Sequence, residues 1–154
     1  VTQMIMNSYE SALAIMPQLA GFVPMLTGTG GNCGSQSSTL VIRGLAVGEI
    51  EFRDLLKVIW KEIRIAVCIS IVLAVVNGLR IMLMGQGDAL MAFTIGLTMA
   101  CTVVIAKVVG CTLPLIAKRV GLDPAIMATP LISTLVDIST ISVYFAIVSA
   151  VFQL

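Results

Sequence analysis

Residues 89–117 read ALMAFTIGLTMACTVVIAKVVGCTLPLIA and carry one charged side chain, that of Lys107. A helix needs roughly 20 predominantly apolar residues to cross the hydrocarbon core of a bilayer. This stretch exceeds that length, and Gly110 and Pro114 add no charge to it. It therefore predicts a membrane-spanning helix, and the remaining sequence must be organised around it.

The composition of the whole chain points to the same class. Hydrophobic residues make up 58% of the 154 residues, charged residues 11%, and the mean hydropathy is +1.08. A soluble domain averages about 45–50% apolar and about 25% charged residues. We predict a single-domain, all-α membrane protein. The chain has no basic run that could track nucleic-acid phosphates, and it has no histidine, which excludes His-based zinc sites.

Four apolar stretches are long enough to span a bilayer, so we predict four complete helices of a bundle of about five. Residues 1–7 would be the remnant of the missing span. Glycine lowers helix propensity by about 1 kcal/mol relative to alanine, so the Gly-rich run 28–34 predicts a bent or broken first helix. Alternating charges and regularly spaced apolar residues in 49–64 predict an amphipathic helix lying at the interface. The four predicted spans are residues 11–42, 65–84, 89–117 and 125–154.

The Lys and Arg residues are distributed unevenly between the loops. Seven fall in the segments 43–64 and 118–124, and the intervening loop offers Arg80 alone. Basic residues concentrate in cytoplasmic loops. We therefore expect both basic segments in the cytoplasm and the C-terminus outside.

Asp137 lies well inside the last predicted span, where a carboxylate costs about 2.5–3.5 kcal/mol on insertion scales. One interpretation is a structural ion pair with Lys107. The other is a cation path, because Ile126, Thr129 and Ser133 recur on the same helical face at steps of three and four. A proline at 130 would also free the Ile126 carbonyl, and such carbonyls ligate hard cations.

The Gly-rich run offers a complementary polar surface. Gly28, Asn32 and Gln36 recur every four residues and share a face. The glycines alone are equally explained by close helix packing through small residues, whereas amides at membrane depth need polar partners. Asp123 precedes Pro124 and fits a helix N-cap; its position at the end of the last span also allows a role where ions enter or leave.

Two long motifs stand out: PMLTGTGGNCGSQ at 24–36 followed by RGLA at 43–46, and GLDPA at 121–125 followed by Pro130 and Asp137. Together they resemble the signature of the MgtE magnesium channels. The resemblance covers essentially the whole chain. It implies a homodimer of five-helix subunits in the plasma (inner) membrane, with a pore on the two-fold axis. It also implies one transmembrane pore domain over 1–154, without the family's cytosolic N and CBS regulatory domains.

The resemblance further implies the residues that meet the ion. Asp137 would hold a hydrated Mg²⁺ together with its symmetry mate. Thr129 and Ser133 would line the same pore, Ser133 through its carbonyl, while Asn32 and Gly28 would form the facing wall. Mg²⁺ keeps several waters and is usually bound by one or two carboxylates, so one aspartate per subunit suffices.

The function predicted from the sequence is therefore Mg²⁺ conduction into the cytoplasm, with Mg²⁺ as both transported ion and ligand. An ion-coupled secondary transporter of divalent cations is the first alternative, because broken helices facing each other at the midplane also suit alternating access. A structural membrane subunit is the second. An intramembrane enzyme is not expected, since no catalytic histidine or aspartate dyad is present.

Overall fold

The computed structural model describes residues 17–127 and 130–153, and every regular element within these two ranges is helical. The prediction for residues 1–7 and the side chain of Thr129 lie outside the described residues. We number the α-helices in chain order; a 3-10 turn, Phe52–Asp54, precedes the second. They are α1 (Gln18–Ala46), α2 (Leu55–Leu83), α3 (Ala89–Arg119), α4 (Pro124–Met127) and α5 (Pro130–Phe152).

Three of the long helices are apolar enough to cross a membrane: Phe52–Leu83, Ala89–Arg119 and Pro130–Phe152. The predicted all-α membrane class is confirmed. Helix α3 packs against α1, α2 and α5 and forms the centre of the bundle. Helix α2 leaves a broad apolar surface exposed, as expected for contact with lipid tails, for example at Ile71, Val75 and Leu79.

Helix α1 is less apolar, because Gly, Ser and Thr are frequent in it, but it runs the full length of the bundle. At one end the Tyr144 hydroxyl of α5 donates to the Leu19 carbonyl at 2.9 Å. At the other end the Lys118 ammonium of α3 donates to the Leu45 carbonyl at 3.0 Å. Since α1 has 29 residues, its axis is about 44 Å long, enough to span a bilayer.

The predicted break in the Gly-rich helix is wrong, because α1 is helical without interruption through residues 28–34, whereas the alternative of a bend stays a prediction. Tight packing compensates for the low helix propensity of glycine here. A Cβ built on Gly110 would lie 2.2 Å from the Gly34 carbonyl oxygen, and one on Gly30 would lie 2.8 Å from Thr102. Small residues thus let the backbones of α1 and α3 touch, which is how helices associate in membranes.

This contact makes Gly110→Ala strongly destabilising. The added methyl group would collide with a backbone carbonyl that cannot rotate away, and overpacking of this kind costs about 1–3 kcal/mol or more. We expect a clearly lower midpoint of thermal unfolding in detergent, followed by circular dichroism. Gly78→Ala in α2 is the matched control, because a Cβ there has nothing within 4 Å. Equal midpoints for the two variants would contradict the backbone contact.

The predicted interfacial helix at 49–64 is also wrong as a separate element. Helix α2 begins at Leu55, ten residues before the predicted start of the span, and continues to Leu83. Trp60 on its outer face is exposed, whereas Glu62 is only 4% exposed. The ion pair that Glu62 makes with Lys107 of α3 joins the charged first turns of α2 to the bundle.

The last predicted span, 125–154, is described as helix at α4 and again at α5. Asp123 precedes α4, and its carboxylate accepts a hydrogen bond from the Ala125 amide at 2.9 Å. That is the capping interaction predicted for it. The continuity of the span through Pro130, and with it the freed carbonyl of Ile126, stays a prediction.

Tight turns end α2 and α3 in the same way. Gly85 and Gly121 adopt φ of 61° and 79°, a conformation that residues with a Cβ rarely adopt. The next amide in each turn donates back to a carbonyl five residues earlier, Gln86 to Ile81 and Leu122 to Ala117. These bonds satisfy helix-end carbonyls and reverse the chain within a few residues.

The two basic segments, 43–64 and 118–124, meet at one end of the bundle. Besides the Lys118–Leu45 bond, the Arg119 guanidinium lies 4.3 Å from the centre of the Phe52 ring. Arg80 lies at the other end, in a groove of about 390 Å³ with Gln18 and Gln86. The distribution of basic residues therefore matches the predicted sidedness, and which end faces the cytoplasm stays a prediction.

Candidate ion-conducting groove

An open groove of about 420 Å³ runs between α1 and α5, and we call it the Asp137 groove. Helix α1 supplies one wall and α5 the other. Four of the sequence-predicted site residues meet in it: Asp137, Ser133, Asn32 and Gly28. Its complete lining is Pro24, Thr27, Gly28, Gly31, Asn32, Ser35, Ser133 and Asp137.

Asp137 is half-buried in the α5 wall. Within the described residues its carboxylate has no hydrogen bond and no ion pair. Ser133, one turn earlier, donates its hydroxyl to the Pro130 carbonyl at 3.1 Å. A carboxylate at membrane depth without a protein partner is costly, so it is expected to face water or a cation.

The α1 wall of the groove is polar, and most of its side chains are small. Gly31 and Asn32 lie three and four residues after Gly28, and Ser35 lies four and three residues after them, so all four share the face that borders the groove. A Cβ at Gly28 or Gly31 would have nothing within 4 Å. These two glycines therefore leave the groove wide, in contrast to Gly30 and Gly34, which serve helix packing.

Lys107 does not reach Asp137. Its ammonium pairs with the Glu62 carboxylate at 3.0 Å and donates to the Ser37 hydroxyl at 3.1 Å. The interpretation of Asp137 as the structural partner of Lys107 is therefore wrong. A carboxylate on α2, that of Glu62, pairs with the lysine instead.

The structure separates one further predicted site residue, Asp123, from this groove. Asp123 lines another groove, of about 190 Å³, with Lys118 at the end of the bundle. Thr129 lies outside the described residues, and its place in the site stays a prediction. Sequence reasoning missed Ser35 and Thr27. Ser35 lies three residues after Asn32 and seven after Gly28, and this spacing could have placed it on the same face.

Chemically, the groove is suited to a hydrated cation and poorly suited to a dehydrated one. The described residues contain no cluster of three Asp, Glu, Cys or His side chains that could hold a metal ion. One carboxylate, an amide and hydroxyl groups can bind the water shell of an ion such as Mg²⁺, which dehydrates reluctantly. The groove is open on one side, so the described part of one chain does not enclose an ion.

Three long helices that are apolar enough to cross a membrane define the class as a polytopic membrane protein. The family model of MgtE, described as a divalent cation transporter, matches residues 23–147. The chain belongs to this family.

Curated relatives agree with the assignment. The chain is 35% identical over 151 residues to the magnesium transporter MgtE of Thermus thermophilus, and 36% identical over 146 residues to that of Bacillus subtilis. The Enterococcus faecalis protein of the same name is 32% identical over 151 residues. These matches cover 95–96% of the chain but only 32% of each relative. The chain thus spans about a third of the length of its relatives.

Proposed function

We propose that this chain forms the Mg²⁺-conducting pore domain of a magnesium channel, with Asp137 as the ligand of a hydrated ion. The observation that carries the proposal is the Asp137 carboxylate, which lines an open polar groove and has no hydrogen bond or ion pair with any described residue, while Glu62 neutralises Lys107. The relatives named as magnesium transporters support Mg²⁺ as the ion.

A second copy of the chain would complete the site. In a homodimer whose two-fold axis runs along the open side of the groove, two Asp137 carboxylates share one hydrated ion. The walls carrying Asn32 and Gly28 then face the ion's water shell, and Ser133 and Thr129 extend the polar surface. Two carboxylates with retained waters are the usual protein environment of Mg²⁺. Asp123, beside Lys118, would act outside this site, at the cytoplasmic mouth.

An ion-coupled carrier remains the rival mechanism, but one of its grounds has weakened. The carrier mechanism was suggested by broken helices that face each other at the midplane. Helix α1, however, is continuous. The channel proposal therefore needs no unwinding of α1. Its cytoplasmic side would be the end that carries residues 43–64 and 118–124.

Purified protein in liposomes tests the proposal. We expect Mg²⁺ influx along its gradient, detected with a trapped fluorescent indicator, and weaker competition by Ca²⁺ than by Mn²⁺, because selection acts on size and hydration. Planar-bilayer recording should give discrete openings. Influx that saturates at carrier-like rates without discrete openings would favour the carrier, and absence of any divalent flux would refute the pore.

A further inference from the structure

A buried polar cluster joins three helices away from the Asp137 groove, and we call it the triad: Ser37 of α1, Glu62 of α2 and Lys107 of α3. The Lys107 ammonium lies 3.0 Å from the Glu62 carboxylate and 3.1 Å from the Ser37 hydroxyl, which also bonds Glu62. The Lys107 and Glu62 side chains are 4% and 5% exposed. Each of the three helices contributes one member, and none of the three lines the Asp137 groove.

Helix association alone does not require this triad. Taking two charges out of water costs about as much as their attraction returns, and apolar residues of similar size often replace such pairs without loss. A buried, fully bonded network does restrict geometry, because each partner must keep its place for the others to stay satisfied. The triad is therefore better explained by what it positions.

The position of the triad bears on the rotation of α1 about its own axis. Ser37 and Gly28 are nine residues apart, which at about 100° per residue puts them on opposite sides of the helix. The triad thus contacts the side of α1 that carries Ser37, while the opposite side, which carries Gly28, borders the Asp137 groove. Gly30 and Gly34 lie on the side of Ser37, where α1 packs closely against α3 and α5. The polar bonds of Ser37 add a directional constraint to this close packing.

We propose that Lys107 is a positioning residue for ion selection: through Glu62 and Ser37 it fixes the rotation of α1, so that Asn32 and Ser35 face Asp137. The consequence for selectivity rests on the proposed function; the rotation itself does not. A rotation of α1 by a fraction of a turn moves the Asn32 amide away from the groove.

Two readouts test this, one of them independent of transport. Single cysteines at Ser35, which borders the groove, and at Ser38, which is buried, report the rotation by their rate of labelling with a charged thiol reagent. The parent protein provides the background of its four free native cysteines. We expect position 35 to label at least about tenfold faster than position 38, as burial governs thiol access.

Lys107→Met should diminish this contrast and lower the Mg²⁺-over-Ca²⁺ flux ratio by about tenfold, which corresponds to about 1.4 kcal/mol of differential ion stabilisation. The charge exchange Lys107→Glu with Glu62→Lys should restore both. A folded Lys107→Met protein with unchanged labelling and selectivity would overturn the proposal and reduce the triad to helix packing.

Ser37→Ala covers the case in which Lys107→Met fails to fold. It leaves the ion pair between Lys107 and Glu62 intact and removes only the hydrogen bonds that join this pair to α1. It should shift the labelling contrast and the selectivity in the same direction, by a smaller factor. Unchanged values would again overturn the proposal. If wild-type protein carries no divalent ion, the proposed function fails while the labelling still decides whether the triad sets the rotation of α1.

Discussion

Asp137→Ala or Asp137→Asn is expected to reduce Mg²⁺ influx into liposomes by at least about a hundredfold, equivalent to roughly 2.7 kcal/mol of lost ion stabilisation. Without the carboxylate, the described part of the groove retains only neutral polar groups. The same substitutions remove a charge that costs about 2.5–3.5 kcal/mol at membrane depth. Thermal stability should therefore stay equal or rise while flux is lost.

A loss of flux at equal or higher thermal stability distinguishes an ion ligand from a structural residue. Asp88→Asn is the matched control, since Asp88 caps α3 by accepting from the Met91 amide at 2.9 Å, and asparagine caps equally well. Flux should be unchanged in that variant. Wild-type influx in Asp137→Ala, measured with equal amounts of reconstituted protein, would exclude Asp137 as a pore ligand.

The dimer can be tested with the same substitution in a tandem of two linked copies. If two Asp137 carboxylates hold one ion, a tandem with a single Asp137→Ala copy should lose far more than half of the flux of the wild-type tandem. If each chain conducts alone, the mixed tandem should retain about half. The comparison separates a shared axial site from two independent paths.

The sequence predicted those features that depend on hydropathy and helical spacing. Three long apolar helices follow from composition, because lipid demands them. The meeting of Asp137 and Ser133 with Asn32 and Gly28 was anticipated, since each pair shares a helical face and the family resemblance paired the two helices. Turns at Gly85 and Gly121 likewise follow from local chemistry.

Features that depend on contacts between distant helices were not predictable. Gly30 and Gly34 pack against α3 and α5 whereas Gly28 and Gly31 border open space, and identical residues in one run give no sign of this division. Glu62 looked like one more charge of a surface helix, because its partners lie 45 and 25 residues away. Asp123 shares a chain segment with Asp137 but lines a different groove, at the end of the bundle.

The second large effect on flux is expected at Gly31, one of the glycines that border open space. Leucine there would project into the Asp137 groove from the α1 wall, since nothing lies within 4 Å of its Cβ position. In the proposed dimer two leucines would face each other and form an apolar constriction, and such constrictions stop conduction by excluding water. We expect flux to fall at least about tenfold with little change in thermal stability, because open space receives the side chain and leucine favours helix more than glycine does.

A graded series makes this test decisive. Gly31→Ala should lower Mg²⁺ influx moderately and Gly31→Leu almost completely, whereas Gly78→Leu, also in open space but on α2, should leave influx at the wild-type level. Influx and unfolding midpoint are measured on the same reconstituted preparations. Wild-type influx through Gly31→Leu would mean that ions pass elsewhere in the bundle, and a loss shared by Gly78→Leu would point to a general effect of added bulk. If Mg²⁺ influx is lost in the Gly31 and Asp137 variants but not in Gly78→Leu, the ions follow a single path between α1 and α5.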